Sequence, residues 1–216
     1  STQPNEFQGS VSSDVGGWEY FGVSITGGTE KELPLVDGED VGSEDCFPGT
    51  LIKAKVQGKI VLCKKIDISG IYISLEVSQL GGLGMILYND KDDQSSEFII
   101  GEIPSMYINN SDGLRIKEYI KTAGTEAVAQ ITVPVPDKDA PVIADFSSRG
   151  PKGFPPDIIR PDITAPGVSI LAGWSPKSVD EKFAPTGLFA LLSGTSFASP
   201  HAAGMFALIL VIIVCF

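Results

Sequence analysis

The sequence predicts an α/β protein with a compact module of strands and helices in its middle. Two short β-type runs, residues 58–63 and 84–89, are bounded by polar and glycine-containing turns. Helical patterns cover residues 69–80 and the stretch from Asn110 or Ser111 to Gly124. A chain of 216 residues with 43% hydrophobic residues is large enough to bury a core, so we expect a globular protein.

The two predicted helices have recognisable ends. The first leads into the paired glycines Gly81-Gly82, which suit a helix C-terminus. The second contains the apolar residues Leu114, Ile116, Tyr119 and Ile120 and is followed by Gly124. The middle of the chain therefore reads strand–helix–strand–helix–strand, and a connector at 134–139 marks its exit.

The flanking segments read differently. An apolar alternation at 18–25 predicts one or two strands near the N-terminus. After the module, residues 140–146 form a β-rich run, and residues 189–192 form a short strand that turns into an apolar helix. The final apolar tract, 202–216, is shorter than the roughly 18 to 20 residues of a membrane-spanning helix. We therefore predict a buried helix and no membrane span.

Charge and cysteine content exclude some classes of function. The net charge of −11 and a pI near 4.5 disfavour binding to nucleic acid or anionic membranes. No metal-type cysteine spacing is present, and we predict no cofactor and no metal. Cys46 and Cys63 could close one disulfide loop or stay as two buried thiols, and Cys215 is left over in either case.

The junction at residues 193–196 is the most informative local feature. A serine at the start of a helix that leaves a strand projects its hydroxyl from a rigid scaffold beside free backbone N–H groups. Ser196 is therefore a candidate nucleophile. The alternative is that Thr195 or Ser196 merely caps the helix.

Three stretches of the sequence favour the nucleophile over the capping interpretation. Residues 193–204, SGTSFASPHAAG, closely resemble the serine signature of the subtilisin family, and FSSRGP at 146–151 and RPDITAPGVSILA at 160–172 resemble further family segments in the expected order. The middle stretches 46–49, 58–63 and 81–89 resemble the protease-associated insert of large secreted subtilases. Together the resemblances cover most of the chain from about Gly22 to Gly204.

The resemblance implies an incomplete subtilisin-like parallel sheet interrupted by a β-rich protease-associated domain. The implied boundaries are 1–32 for a catalytic-domain segment, 33–136 for the protease-associated domain and 137–216 for the segment with the serine. It implies that Ser196 is the nucleophile of a serine endopeptidase, that peptides or proteins are the substrates, and that the protein is secreted.

Other parts of the family's machinery are missing from this sequence. The only histidine, His201, follows Ser196 by five positions and on a helix points roughly 140° away, so we exclude it as the general base. The aspartate and histidine motifs of the family, which would precede Ser1, are absent. We therefore predict a C-terminal fragment that is inactive and poorly soluble without the missing N-terminal half of the protease. The alternatives are a noncatalytic protein-binding module and the product of a truncated gene.

Two smaller signals complete the sequence analysis. Asn109-Asn110-Ser111 is an N-glycosylation sequon, so Asn109 is a candidate acceptor. Residues 90–93 are acidic but lack the glycine and distal glutamate of an EF-hand, so a solvated turn is the better interpretation than a calcium loop.

Overall fold

The computed structural model describes residues 2–3, 7–65, 68, 70–90, 101–136, 142–144, 146–151, 160–173, 175 and 189–215. The chain forms two compact units. The first, which we call the module, is Phe7–Asp137. The second, the flanking unit, combines Ser1–Glu6 with Lys138–Phe216.

An eight-stranded mixed sheet is the frame of the module. Its strands are β2 (Phe7–Ser13), β3 (Trp18–Val23), β4 (Leu33–Asp37), β5 (Ile60–Lys64), β6 (Gly84–Tyr88), β7 (Ser105–Ile108), β8 (Val128–Ile131) and β9 (Val135–Pro136). They are ordered β3-β7-β6-β5-β4-β8-β2-β9, and β2 also pairs with β3. Seven strands therefore close into a ring, which removes most exposed sheet edges.

Strands β4 to β7 are parallel. The registers are Leu35 with Ile60, Ile60 with Gly84, and Met85 with Ser105. The module helices are α1 (Gly38–Val41), α2 (Lys53–Val56), α3 (Gly70–Gln79) and α4 (Asn110–Ala123), followed by a 3-10 turn at Gly124–Glu126. Helices α1 and α2 lie between β4 and β5 in the chain, and α3 lies between β5 and β6. The structure confirms the two predicted helices as α3 and α4.

The central parallel strands β5 and β6 are mostly apolar because both of their faces are buried. In β5, Ile60 and Leu62 enter one core cluster, while Val61 and Cys63 enter the other. Helix α4 covers the first cluster with Ile116 and Ile120. Helix α3 covers the second with Ile73 and Val77. The spacing of four residues in each helix puts both side chains on the same face.

The compact unit of the module begins at Phe7, before the predicted domain boundary between residues 32 and 33. Strands β2 and β3 precede it, yet they belong to the sheet of the module, where Val11 of β2 pairs with Ile131 of β8. Val11 is also fully buried in the first core cluster. The physical reason is that these strands close the ring, where Val11 is buried and Trp18 and Tyr20 pack against the first core cluster.

The flanking unit has fewer described elements: β1 (Thr2–Gln3), β10 (Val142–Ile143), β11 (Ile170–Gly173), β12 (Phe189–Leu192) and α5 (Thr195–Cys215). The strand predicted at 189–192 is confirmed as β12. The pairs β1–β10 and β11–β12 are both antiparallel. The expectation of a parallel sheet in the flanking segments is therefore wrong for the described residues, whose parallel strands all lie in the module.

Helix α5 corrects the prediction of a buried C-terminal helix. Residues 203–214 are exposed, because no described element of the flanking unit packs over them. The helix also starts earlier than the apolar tract alone suggested, and the stretch Thr195–Val214 is long and apolar enough to cross a membrane by length and composition. The length argument against a membrane span is thus wrong, although core helices of soluble proteins meet the same criterion when buried. The predicted absence of a span stays a prediction.

Candidate functional site

Ser196 is the second residue of the 21-residue helix α5 and is exposed. Strand β12 ends at Leu192, and Ser193-Gly194 connects it to the helix. Two hydrogen bonds hold this connection: the Gly194 N–H donates to the Gly167 oxygen (2.8 Å), and the Ser169 N–H donates to the Ser193 hydroxyl (2.9 Å). The segment around residues 167–169 therefore fixes where the helix begins.

The start of α5 offers hydrogen-bond donors around Ser196. The Phe197 N–H donates to the Gly194 oxygen (3.0 Å), whereas helix geometry leaves the N–H groups of Thr195 and Ser196 without intrahelical acceptors. Pro200 has no N–H, so the Ser196 carbonyl lacks its usual helical donor as well. The positive end of the helix dipole and free N–H groups next to an exposed hydroxyl favour a developing negative charge.

His201 is occupied within the helix. Its Nδ1 lies 2.8 Å from the carbonyl oxygen of Phe197, four residues earlier, and therefore donates to it. This bond directs the imidazole along the helix, in agreement with the exclusion of His201 as a base for Ser196. The structure thus provides a hydrogen bond within the helix for the only histidine of the chain, whose side chain is otherwise exposed.

A cavity of about 560 Å³ lies beside this helix within the flanking unit. Helix α5 lines it with Thr195, Ala198, Ser199 and Ala202, which share one face through their spacing of three and four residues. Ser196 is not among the lining residues. It is exposed and directly follows the lining residue Thr195 in the helix.

The other walls of the cavity come from the two segments whose sequences resemble the subtilisin family. They contribute Ser147, Ser148, Arg149, Arg160, Pro161, Asp162, Ile163 and Ala165. Arg160 forms an ion pair with Asp162. Gly150 lies so close to the Arg160 carbonyl oxygen that any side chain there would collide with it. The structure thus brings all three family-like stretches together around one space.

Two predicted features of the module have defined positions. Cys46 and Cys63 form a disulfide across 17 positions of sequence and are fully buried in the second core cluster. Asn109 is exposed and caps α4. Of the acidic stretch 90–93, Asp90 pairs with Lys64 (2.7 Å), and residues 91–93 lie outside the described part of the chain.

A cluster of charged residues lies in the module, at the carboxyl ends of the parallel strands. Lys117 of α4 has only 12% of its side chain exposed and reaches three carboxylates: Glu44 (2.7 Å), Glu39 (2.9 Å) and Asp37 (3.6 Å). The Tyr88 hydroxyl donates to the same Glu44 oxygen (3.1 Å). This arrangement ties α4 to the strand ends and to the loop that carries Cys46.

The pKa values in this cluster follow from burial and pairing. Burial opposes the charge of Lys117, but the hydrogen bonds to Glu44 and Glu39 outweigh it and raise the Lys117 pKa. The hydrogen bond from Lys117 lowers the pKa of Glu44. Burial raises the pKa of Asp37 and, together with the Glu44 charge, that of Tyr88. Every group is paired, which suits a structural role.

Sequence reasoning missed this cluster and the cavity. Asp37 and Tyr88 each end a parallel strand, and the ends of parallel strands meet at one sheet edge, so this part of the cluster could have been predicted. Glu44 and Lys117 are 73 positions apart, and no local pattern links them. The cavity combines three separate segments, which only the tertiary structure brings together.

Comparisons with known proteins agree with the family-like stretches. A model of the subtilase family matches residues 41–211. Subtilisin-like protease SBT1.6 of Arabidopsis thaliana is 38% identical over 208 residues, which cover 88% of this chain and 26% of that protein. The CO(2)-response secreted protease of the same plant is 33% identical over 192 residues, covering 82% of this chain and 25% of that protein.

Structural similarity is weaker. A solved zinc aminopeptidase from Bacillus subtilis is 19% identical with a TM-score of 0.42, over 61% of this chain and 31% of that chain, too little to establish a common fold. The sequence matches extend over most of this chain but about a quarter of the relatives' own length. The range matched by the family model, residues 41–211, includes all three motif stretches around the start of α5. The chain therefore belongs to the subtilase family, whose members are serine endopeptidases.

Proposed function

We propose that this chain is the serine-bearing part of a secreted subtilisin-like serine endopeptidase and that Ser196 is its nucleophile. The observation that carries the proposal is the position of Ser196: exposed, second in α5, and set by hydrogen bonds from the connection to residues 167–169. Residues that only cap a helix precede its first turn. Ser196 lies within that turn, which favours the nucleophile over the capping alternative.

In the proposed reaction the Ser196 hydroxyl oxygen attacks the carbonyl carbon of a peptide bond. The carbonyl oxygen becomes an oxyanion, which the N–H groups and the dipole at the start of α5 stabilise. Collapse of the intermediate breaks the C–N bond, the amine leaves with the proton that a general base took from the serine, and an acyl-enzyme remains. Water then hydrolyses the ester and restores the serine.

The attack needs a base for the serine proton and a carboxylate that orients the base. His201 donates to the Phe197 carbonyl and points away, so we assign the base and its aspartate to polypeptide that this sequence lacks. The relatives are about four times longer than the matched region, which leaves room for such a segment. The 216-residue chain alone is then inactive, and the missing half of the protease is its partner.

The module is proposed to be the protease-associated domain. We place it at 33–136, extended at its N-terminus by β2 and β3, which complete its ring of strands. A buried disulfide, which forms in oxidising compartments, and a relative named as a secreted protease support extracellular localisation.

A second function rests on the same module. Its closed ring and two buried cores would let it fold without the flanking unit. Independent folding is what a noncatalytic protein-binding module, or the product of a truncated gene, would need. The mass of the native protein separates the two proposals. An antibody against the module should recover a species several times heavier than 22.8 kDa for a protease, and one of 22.8 kDa, the mass of this chain, for a standalone noncatalytic protein.

The role of Ser196 is testable with a fluorophosphonate probe, which labels activated serines. We expect labelling of the heavier species, loss of labelling in Ser196→Ala, and retention in the matched control Ser199→Ala, three residues further along α5. The 216-residue chain alone should stay unlabelled. Labelling that persists in Ser196→Ala would refute the assignment, and labelling of the chain alone would show that a base lies within it.

A further inference from the structure

We infer that Asn109 carries an N-linked oligosaccharide, so that the surface at the start of α4 faces solvent in the complete protein. Asn109, Asn110 and Ser111 form the acceptor sequence Asn-X-Ser. The structure adds three observations to this short motif: exposure, the use of the amide as a helix cap, and a disulfide in the same module.

Exposure is the first observation. Asn109 follows the buried strand β7 and is itself exposed, as is Ser111. All four residues of β7 are buried, so the acceptor sits at the point where the chain reaches the surface. An oligosaccharide attached there projects outward without displacing the core.

The second observation is that the Asn109 side chain caps α4 through its amide oxygen, whereas the amide nitrogen is the atom that would be modified. The Asn109 Oδ1 accepts from the Asp112 N–H (2.8 Å), and the Nδ2 donates one hydrogen to the Asp112 carboxylate (2.9 Å). Capping depends on Oδ1, whereas the sugar is attached to Nδ2. Glycosylation therefore retains the oxygen that satisfies the helix N–H.

The disulfide is independent of the sequon and points to the same compartment. The bond between Cys46 and Cys63 is typical of proteins that pass through the oxidising secretory pathway, where oligosaccharide transfer takes place. The inference rests on secretory entry, which is part of the proposed function. It does not depend on the identity of the nucleophile.

The donor is a lipid-linked oligosaccharide pyrophosphate, and a host transferase catalyses the step. The Asn109 Nδ2 attacks the anomeric carbon of the sugar and forms a C–N bond. The bond from that carbon to the pyrophosphate oxygen breaks, the lipid pyrophosphate leaves with the bonding electrons, and Nδ2 loses one proton. No oxidation or reduction occurs.

The test is translation of the full chain behind a cleavable secretory leader in the presence of endoplasmic-reticulum microsomes. We expect one mobility shift that peptide-N-glycosidase removes, with conversion of Asn109 to aspartate in the released peptide. Asn109→Asp, which keeps a capping oxygen, and Ser111→Ala should each abolish the shift. The neighbouring variant Asn110→Gln keeps the sequon and should retain it.

The added leader brings the chain into the microsomes whether or not the natural protein is secreted. The assay therefore tests glycosylation of Asn109 separately from the proposed extracellular localisation. Because transfer occurs during import, a variant that does not fold still gives a result. A wild-type chain that enters microsomes without a shift would overturn the inference, as would a shift that persists in Asn109→Asp.

Discussion

The module and the flanking unit solve the burial of apolar side chains in opposite ways. In the module, parallel strands are covered on both faces and a ring of seven strands leaves few edges. In the flanking unit, the described strands form two antiparallel pairs, and α5 exposes residues 203–214. The same residue types that fill the core of the module lie open to solvent in α5.

The difference indicates which part of the chain is self-sufficient. A helix that is apolar on all sides is stable in water only when other polypeptide or lipid covers it. Within the module, the disulfide and the Lys117 cluster add cross-links between distant segments. We therefore expect the module to carry the cooperative stability of the chain, while the flanking unit requires further polypeptide and makes the isolated chain poorly soluble.

A matched pair of isoleucine substitutions provides the strongest test of this contrast. Ile86 is fully buried in β6, and Ile212 in α5 is 60% exposed. Ile86→Ala should lower the free energy of unfolding by about 2–5 kcal/mol because it leaves a cavity. Ile212→Ala should change it by less than about 0.5 kcal/mol. Pulse proteolysis in urea, on the chain fused to a soluble carrier, measures both.

Equal losses for the two variants would contradict the contrast, because they would mean that α5 is packed as tightly as the core. A solubility assay on the unfused chain sharpens the result. A soluble monomer with cooperative unfolding would overturn the expectation that exposed α5 drives aggregation.

Removal of the disulfide should have the next largest effect. The double variant Cys46→Ala/Cys63→Ala should lose about 2–4 kcal/mol, because the bond restricts the unfolded chain and both sulfurs are buried. Urea unfolding of the wild type with and without reductant provides the comparison. Reductant should destabilise the wild type and leave the double variant unchanged; sensitivity of the double variant would point to another redox-active group.

The smallest effect is expected from the charged cluster. Lys117→Met deprives Asp37, Glu39 and Glu44 of their shared cation and should cost about 1–3 kcal/mol, since the carboxylate of Asp37 is buried. Lys121→Met, an exposed position in the same helix, is the control and should be close to neutral. Thermal unfolding of both variants at neutral pH measures the difference, and equal effects would mean that the cluster contributes no specific stability.

Much of the secondary structure was predictable because its signals are local. Helix α4 was predicted within a residue at either end, from apolar residues that include Ile116 and Ile120 and from Gly124 after its last turn. The strand-to-helix junction before Ser196 was equally clear from an apolar run followed by Ser193-Gly194. The family itself was readable from the stretch that follows this junction.

The sequence by itself determined the local elements, the family and the candidate nucleophile, because each depends on neighbouring residues. Only the tertiary structure decided the boundary at residue 7, the Lys117 cluster and the exposure of α5. Val11 pairs with Ile131, and Lys117 contacts Glu44, across separations at which no periodicity is visible. Burial of α5 depends on what polypeptide packs against it, because the apolar sequence of a helix does not determine whether another element covers it.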